Sequence, residues 1–210
     1  MKRLQAGFFD RGTHSLAFLH QENLGRPRIL FLHGLGASAK QFERELLIFG
    51  KEYDVAALSL RGQGESTRPS GDRGEDMALA ALAGDVLAWM ETHQWDQPHV
   101  VACSMGGVVA MDALRQKSDA FQSLVTFGTT PELNFGGRAM KAAFWFTDIL
   151  LPSLFPRWFA ATMAKATTDI PEAQERFKED LRTACTQKRT VYQLRCHLIQ
   201  YDYLRVLKET

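Results

Sequence analysis

The fold is decided by the stretch ACSMGG at residues 102–107. Before it, an apolar run from Pro98 predicts a buried strand, and after it the pattern from Met105 to Lys117 predicts a helix. A serine at such a junction occupies a sharp turn that lifts its hydroxyl above the carboxyl edge of a sheet. Gly106 and Ala102 are small enough to let helix and strand approach each other. We therefore predict that Ser104 is a nucleophile, against the alternative of a bystander serine in a glycine-rich helix start.

Two backbone N–H groups near this turn are candidates for binding an oxyanion. The N–H of Met105 lies at the start of the predicted helix, where the helix dipole favours negative charge. His33, Gly34 and Leu35 follow the apolar strand at residues 28–32, in a position that offers the Leu35 N–H as the second donor. For His33 we predict that the side chain braces this loop through hydrogen bonds and does not carry a proton.

Short apolar runs and helical patterns alternate over the first 130 residues. This alternation predicts an α/β fold with a doubly wound, mostly parallel sheet covered by helices. A helix is expected from about Asp76 to Gln94. The remaining strands are predicted at Arg28–Leu32, Tyr53–Leu60, Pro98–Cys103 and Phe121–Phe127, after an N-terminal ribbon formed by Gly7–Asp10 and His14–His20.

The pattern changes after Thr130. Residues 131–210 show no strand signal, and we predict a helical cap or lid beside a sheet core formed by residues 1–130. Residues 140–160 carry four phenylalanines and two tryptophans. These side chains either pack the cap onto the sheet or face an apolar acyl or aromatic substrate. Two prolines and Asp148 argue against a long helix lying on a membrane.

Composition excludes several classes of protein. Lysine and arginine number 25 and the acids 24, so the net charge of +1 gives no reason to expect a nucleic-acid partner. No apolar run is long enough for a transmembrane helix, and we expect no stable membrane insertion. The cysteines at 103, 185 and 196 have neither disulfide nor metal-site spacing, which favours a reducing, cytoplasmic setting without a metal or other cofactor.

The motifs and their order resemble the α/β-hydrolase fold superfamily. Besides ACSMGG and the His33–Gly36 loop, the glycine-punctuated segment Ser59–Ser66 follows a predicted strand, as in that family. The segment itself is interpreted as a tight structural loop. The resemblance covers about residues 5–130 and is closest to small esterases, lactonases, thioesterases and carbon–carbon bond hydrolases. Ser104 argues against the epoxide hydrolase and haloalkane dehalogenase branches, which carry aspartate at that position.

The resemblance also implies a histidine and an acid after the nucleophile, on loops that follow two further strands. The chain ends where the cap would end, and about 50–60 residues would be needed for those elements. We therefore expect a C-terminally incomplete fold, from either a longer protein or a degenerate family member. Glu132 is a weak candidate for the acid, and His197 a weak candidate for the base. The strand at residues 121–127 is expected to be an unpaired apolar edge.

Two functional hypotheses follow. The first is a serine hydrolase that cleaves an ester, thioester or lactone of a small apolar substrate, with Ser104 as nucleophile and no cofactor. The second is an inactive module of the same fold that binds a ligand or a partner, because a triad histidine and acid are missing. Transferase and haloperoxidase-like chemistry would use the same serine, and the sequence does not distinguish them or define an oligomeric state.

Overall fold

The computed structural model describes residues 4–69 and 74–134 without a break. Beyond residue 134 it describes 161–162, 165, 170–172, 174–175, 178, 194, 197–198 and 200–209. The aromatic stretch at residues 140–160, which was expected to belong to the cap, lies outside the described residues.

Six strands form one sheet, in the order β1-β2-β4-β3-β5-β6. Pairing is antiparallel from β1 through β2 to β4 and parallel from β4 to β6. The predicted ribbon and the predicted strands are confirmed, with bounds that differ by at most two residues. The strands are β1 (Gln5–Asp10), β2 (Ser15–Gln21), β3 (Arg28–Leu32), β4 (Asp54–Leu58), β5 (His99–Cys103) and β6 (Ser123–Phe127).

Helices cover both faces of this sheet. One face carries α2 (Leu79–Thr92) and α3 (Met105–Gln116), and the other carries a short 3-10 helix (Ala39–Phe42) that leads into α1 (Glu43–Phe49). A second 3-10 helix (Gly74–Met77) precedes α2, and α4 (Leu204–Glu209) lies near the end of the chain. The arrangement confirms the doubly wound, mostly parallel sheet.

Side-chain alternation along the strands explains the two layers. In β3, Leu30 and Leu32 point toward α2 and α3, whereas Ile29 and Phe31 point toward the 3-10 helix and α1. Because both faces are covered, all five residues of β4 are buried. The α2–α3 side holds the larger core, which includes the fully buried Trp89.

The prediction that residues 131–210 contain no strand is wrong. β7 (Glu132–Asn134) pairs with β8 (Gln200–Asp202) in an antiparallel ribbon, with Leu133 opposite Tyr201. Each strand has three residues, which is too short for an alternating pattern to be recognised. The ribbon follows β6 directly and lies beside the turn that carries Ser104.

In the described part of the chain, β6 pairs with β5 alone and forms one edge of the sheet. Val125 and Phe127 on this strand are 57% and 46% exposed. The expectation of an apolar, unpaired edge is therefore confirmed for the described residues.

Candidate active site

Ser104 occupies a strained turn between β5 and α3. Its φ and ψ angles are 47° and −114°, in a region that a residue with a side chain rarely adopts. The turn is held from two sides. The Ser104 N–H donates to the carbonyl of Phe127 over 2.9 Å, and the Ser104 carbonyl accepts from the Thr129 hydroxyl over 2.9 Å. The backbone at this position is therefore fixed by hydrogen bonds to the chain that follows β6.

Gly106 permits the close approach of α3 to β3. A Cβ atom at this glycine would lie 2.4 Å from the carbonyl oxygen of Leu32 and 2.8 Å from that of His33. These are backbone atoms, and they cannot move aside as a flexible side chain can. The requirement for a small residue two positions after Ser104 thus has a direct structural cause.

The proposed oxyanion donors have no competing partner among the described residues. Neither the N–H of Leu35 nor that of Met105 donates a hydrogen bond to another residue in the described part of the chain. The two loops that carry them are in contact, since a Cβ built on Gly34 would lie 3.6 Å from the Ser104 Cβ. Two free donors beside a serine are what stabilisation of an oxyanion requires.

His33 uses both ring nitrogens within the loop framework. Nδ1 lies 2.7 Å from the Gly34 carbonyl and therefore donates, while Nε2 accepts from the Leu60 N–H over 2.9 Å. The ring is completely buried, and burial lowers its pKa to about 4 although the Gly34 carbonyl opposes this shift. The neutral imidazole therefore holds the loop after β3 to the loop after β4. Because both ring nitrogens are hydrogen-bonded, neither has a free lone pair to accept a proton.

The loop after β4 supports the loop after β3 with side chains that sequence analysis did not single out. The side-chain carbonyl of Gln63 accepts from the Gly36 N–H over 2.7 Å. The hydroxyl of Ser59 accepts from the Ala39 N–H over 3.0 Å. Gln63 and Ser59 are both buried. The segment Ser59–Ser66 is thus a tight loop, as expected, and it also fixes the candidate oxyanion loop.

A buried charge cluster anchors the same loop to α2. The Arg61 guanidinium donates to the Asp85 carboxylate over 2.6 Å, and His14 Nε2 lies 3.0 Å from that carboxylate. Arg11 contacts it over 3.2 Å. The remaining Arg61 nitrogens donate to the carbonyls of Asp76 and Ala81. Opposite charges in the loop and in the predicted helix were the available sequence signal for this contact.

A cavity of about 240 Å³ opens beside Ser104. Its described wall is largely apolar and combines the start of α3 with the β7–β8 ribbon. The lining residues are Ser104, Met105, Val108, Gly128, Thr129, Thr130, Leu133, Leu198 and Tyr201. Tyr201 is tied to the rim, because its hydroxyl donates to the Thr130 carbonyl over 3.1 Å. A cavity of this size and polarity suits a small, mainly apolar group.

The weak acid and base candidates do not line the described wall of this cavity. Glu132 is exposed at the start of β7, next to Leu133, which does line it. His197 is half-buried in a helical segment, next to the lining residue Leu198. The structure thus brings Ser104 together with Leu35, Met105 and Gly106, and it places neither Glu132 nor His197 at the described wall.

Histidines that precede Ser104 have structural partners elsewhere. His20 Nε2 lies 2.7 Å from Asp54, and His99 Nδ1 lies 2.8 Å from the Ser123 hydroxyl at the amino end of the sheet. His93 stacks on Trp89 at 4.4 Å between ring centroids. Among the described residues there is no cluster of side chains suited to hold a metal ion, and no helix there is long and apolar enough to span a bilayer.

Comparison with known proteins gives a family and a fold. The model of the alpha/beta hydrolase fold family matches residues 27–201. A Bacillus subtilis protein named as an uncharacterized hydrolase is 31% identical over 106 residues, which are 50% of this chain and 38% of that protein. The match therefore spans well under half the length of this relative.

Solved structures extend the likeness over nearly the whole chain. A hydrolase from Pseudomonas aeruginosa superposes with a TM-score of 0.77 at 19% identity, covering 94% of this chain and 74% of the other. An N-acyl homoserine lactonase in complex with N-hexanoyl homoserine superposes with a TM-score of 0.76 at 16% identity, covering 99% and 75%. At these identities the superpositions establish the fold alone.

Proposed function

The chain belongs to the alpha/beta hydrolase fold family, and from that premise we propose that it is a serine hydrolase that cleaves a carboxylic ester, thioester or lactone. The observation that carries this proposal is the strained Ser104 turn beside two N–H groups that donate to no described residue. A serine held in a sparsely populated backbone conformation, at the end of a parallel strand and facing a cavity, is a pattern of nucleophilic sites.

In the proposed reaction, the Ser104 Oγ attacks the carbonyl carbon of the substrate and forms an acyl-enzyme as the alcohol, thiol or ring oxygen leaves. The N–H groups of Leu35 and Met105 bind the oxyanion of each tetrahedral intermediate. Water then attacks the acyl group and releases the acid and the free serine. His33 takes no part in proton transfer, since its nitrogens are occupied and its pKa is about 4.

The proposal requires a general base for Ser104 and an acid that orients the base. The histidines assigned above to other partners do not supply it, and no described histidine lines the cavity. We propose that the full-length protein brings a histidine and an acid to this position. The cavity supports a small, apolar acyl group as the part of the substrate that is recognised. We also propose a cytoplasmic location, which the free thiol of Cys103 supports.

One observation favours a second candidate, a ligand-binding module without turnover. The described wall of the cavity holds a serine but no histidine or carboxylate. Such a site would bind an apolar carbonyl compound through the same N–H groups and leave it intact.

Fluorophosphonate labelling of the full-length protein separates the two. We expect one covalent label on Ser104, and its loss in Ser104→Ala. A matched control is Ser123→Ala, because Ser123 is an exposed serine on the neighbouring strand β6, hydrogen-bonded to His99 over 2.8 Å at the opposite end of the sheet. The control is expected to label like the wild type. Peptide mass spectrometry locates the label. Labelling that persists in Ser104→Ala, or an unlabelled wild type, would contradict the hydrolase proposal, and the second outcome would favour the binding module.

A further inference from the structure

One side chain connects the loop before the candidate oxyanion donor with the residue before the candidate nucleophile. Gln41 lies on the 3-10 helix between β3 and α1. Its side-chain carbonyl accepts from the Gly34 N–H over 3.2 Å. The same amide lies near the thiol of Cys103, whose pKa it lowers against the effect of burial. Gly34 directly precedes Leu35 and Cys103 directly precedes Ser104, so Gln41 spans the two loops that make up the site.

The helix that carries Gln41 is itself well anchored. The Ser38 hydroxyl caps its first turn, and the Ala39 N–H donates to the buried Ser59 hydroxyl over 3.0 Å. Phe42 is 4% exposed and packs against Phe31, with 5.1 Å between the ring centroids. Because this helix is anchored, the hydrogen bond from the Gly34 N–H to the Gln41 side chain restrains the loop after β3.

We propose that Gln41 is a positioning residue that sets the distance of the Leu35 N–H from Ser104. This inference rests on the proposed serine hydrolase. An oxyanion donor is effective only at about 2.7–3.1 Å from the developing charge, so a small shift of the Gly34–Leu35 peptide weakens it. Gln41 touches neither substrate nor Ser104, and it acts through the backbone of its neighbours.

Cys103 is the second residue that the Gln41 side chain approaches. Burial raises the pKa of this thiol, and the side-chain amide of Gln41 opposes the shift. The thiol is thus protonated near neutral pH and polarised by the amide. Its Sγ would lie 3.7 Å from a Cβ on Gly34, so the thiol fills the space between the two loops.

The main test compares Gln41→Met with Gln116→Met in the full-length protein. Methionine keeps the length of the side chain and removes both the acceptor for the Gly34 N–H and the amide beside Cys103. The control removes an amide that donates to the Ala80 carbonyl on α2, away from Ser104. Hydrolysis of p-nitrophenyl butyrate is the readout. We expect kcat of Gln41→Met to fall by about tenfold with KM unchanged, since an interaction made in the transition state is weakened. Gln116→Met should match the wild type.

Gln41→Glu provides a rescue that a purely structural role would not show. Below the pKa of the new side chain, the carboxylic acid offers a carbonyl acceptor and an O–H donor, as glutamine does. Above it, the carboxylate loses the donor and places a negative charge beside the oxyanion site. The labelling rate with fluorophosphonate, taken as a ratio to the wild type at each pH, should therefore be lowest at pH 8 and rise toward one as the pH falls to and below the ordinary glutamate pKa of about 4.3. This variant also carries the test if Gln41→Met does not fold.

Alkylation of Cys103 by iodoacetamide, measured on its peptide by mass spectrometry, adds a readout that does not need activity. In Gln41→Met the midpoint of its pH profile should move upward, because the donor to the thiolate is gone. A wild-type enzyme that labels at Ser104, with Gln41→Met equal to it in kcat, would overturn the role of Gln41 alone. An unlabelled wild type would instead overturn the proposed function, and the alkylation profile would still show whether Gln41 holds Cys103.

Discussion

The loops after β3 and β4 differ from β6 in how many of their backbone groups are held by buried side chains. In the two loops, His33, Gln63 and Ser59 are buried and each holds a backbone N–H of the neighbouring loop or helix. At β6, Val125 and Phe127 expose about half of their side-chain surface, and β5 is the single pairing partner in the described chain. Among the described residues, the site is thus braced on the candidate oxyanion side and uncovered on the β6 side.

The difference indicates which side of the candidate site is preorganised. Preorganised donors stabilise a transition state because they need no rearrangement when charge develops. In the proposed mechanism, the braced loops would meet that requirement before any substrate binds. The edge at β6 contributes the hydrogen bond from Ser104 to Phe127, but its outer face has no described cover.

The largest effect is expected from breaking the anchor of the β4 loop. Asp85→Ala leaves the Arg61 guanidinium and the His14 ring without their buried carboxylate, and the loss of one partner of such a cluster costs about 3–5 kcal/mol. Chemical denaturation measures the free energy of unfolding. Glu65→Ala is the matched control, because its pair with Lys40 is 61% exposed on both sides and should contribute under about 1 kcal/mol. Equal losses in the two variants would show that the loop is not held by Asp85.

The next effect is a loss of stability in acid through His33. Its pKa is about 4 in the folded protein against 6.5 in the unfolded chain. Between these values the unfolded state binds more protons, so the free energy of unfolding rises with pH in this window and is lost as pH falls. The full span corresponds to about 3 kcal/mol at about 1.4 kcal/mol per pH unit.

Denaturation at pH 7 and pH 4.5 in the wild type and in His33→Asn checks this expectation. The amide does not titrate, so the variant should show a smaller loss between the two pH values, whatever its absolute stability. The same pH dependence in both proteins would mean that other groups, and not His33, control acid sensitivity.

The central strands β3 and β4 could be predicted from the sequence because they are buried on both faces. The run at residues 28–32 matches β3 without a shift, since a continuous apolar segment between a proline and His33 has few alternatives. The Ser104 turn was predictable because a strand signal directly precedes it and a helix signal directly follows it. These patterns lie within short stretches of sequence, so they can be recognised without knowledge of the fold.

Long-range contacts could not be predicted in this way. Glu132–Asn134 pairs with Gln200–Asp202 across more than 60 residues of chain, and neither segment has a pattern of its own. Gln41 is a polar residue in a short 3-10 helix, and nothing in its neighbours indicates that it reaches Cys103. Such roles depend on which loops the sheet brings together.

The smallest effect is expected at β6, the exposed edge of the described sheet. A substitution there also tests whether this edge is covered. Val55→Thr places a hydroxyl in the fully buried β4 and should cost about 1–3 kcal/mol, because valine and threonine have the same shape but the hydroxyl loses its hydration. Val125→Thr makes the same change at a side chain that is 57% exposed, and should stay within about 0.5 kcal/mol. Denaturation of both variants in the 210-residue chain gives the reference. If Val125→Thr costs as much as Val55→Thr in the proposed full-length protein, the outer face of β6 is buried there, and the contrast between the two regions belongs to the described residues and not to the whole protein.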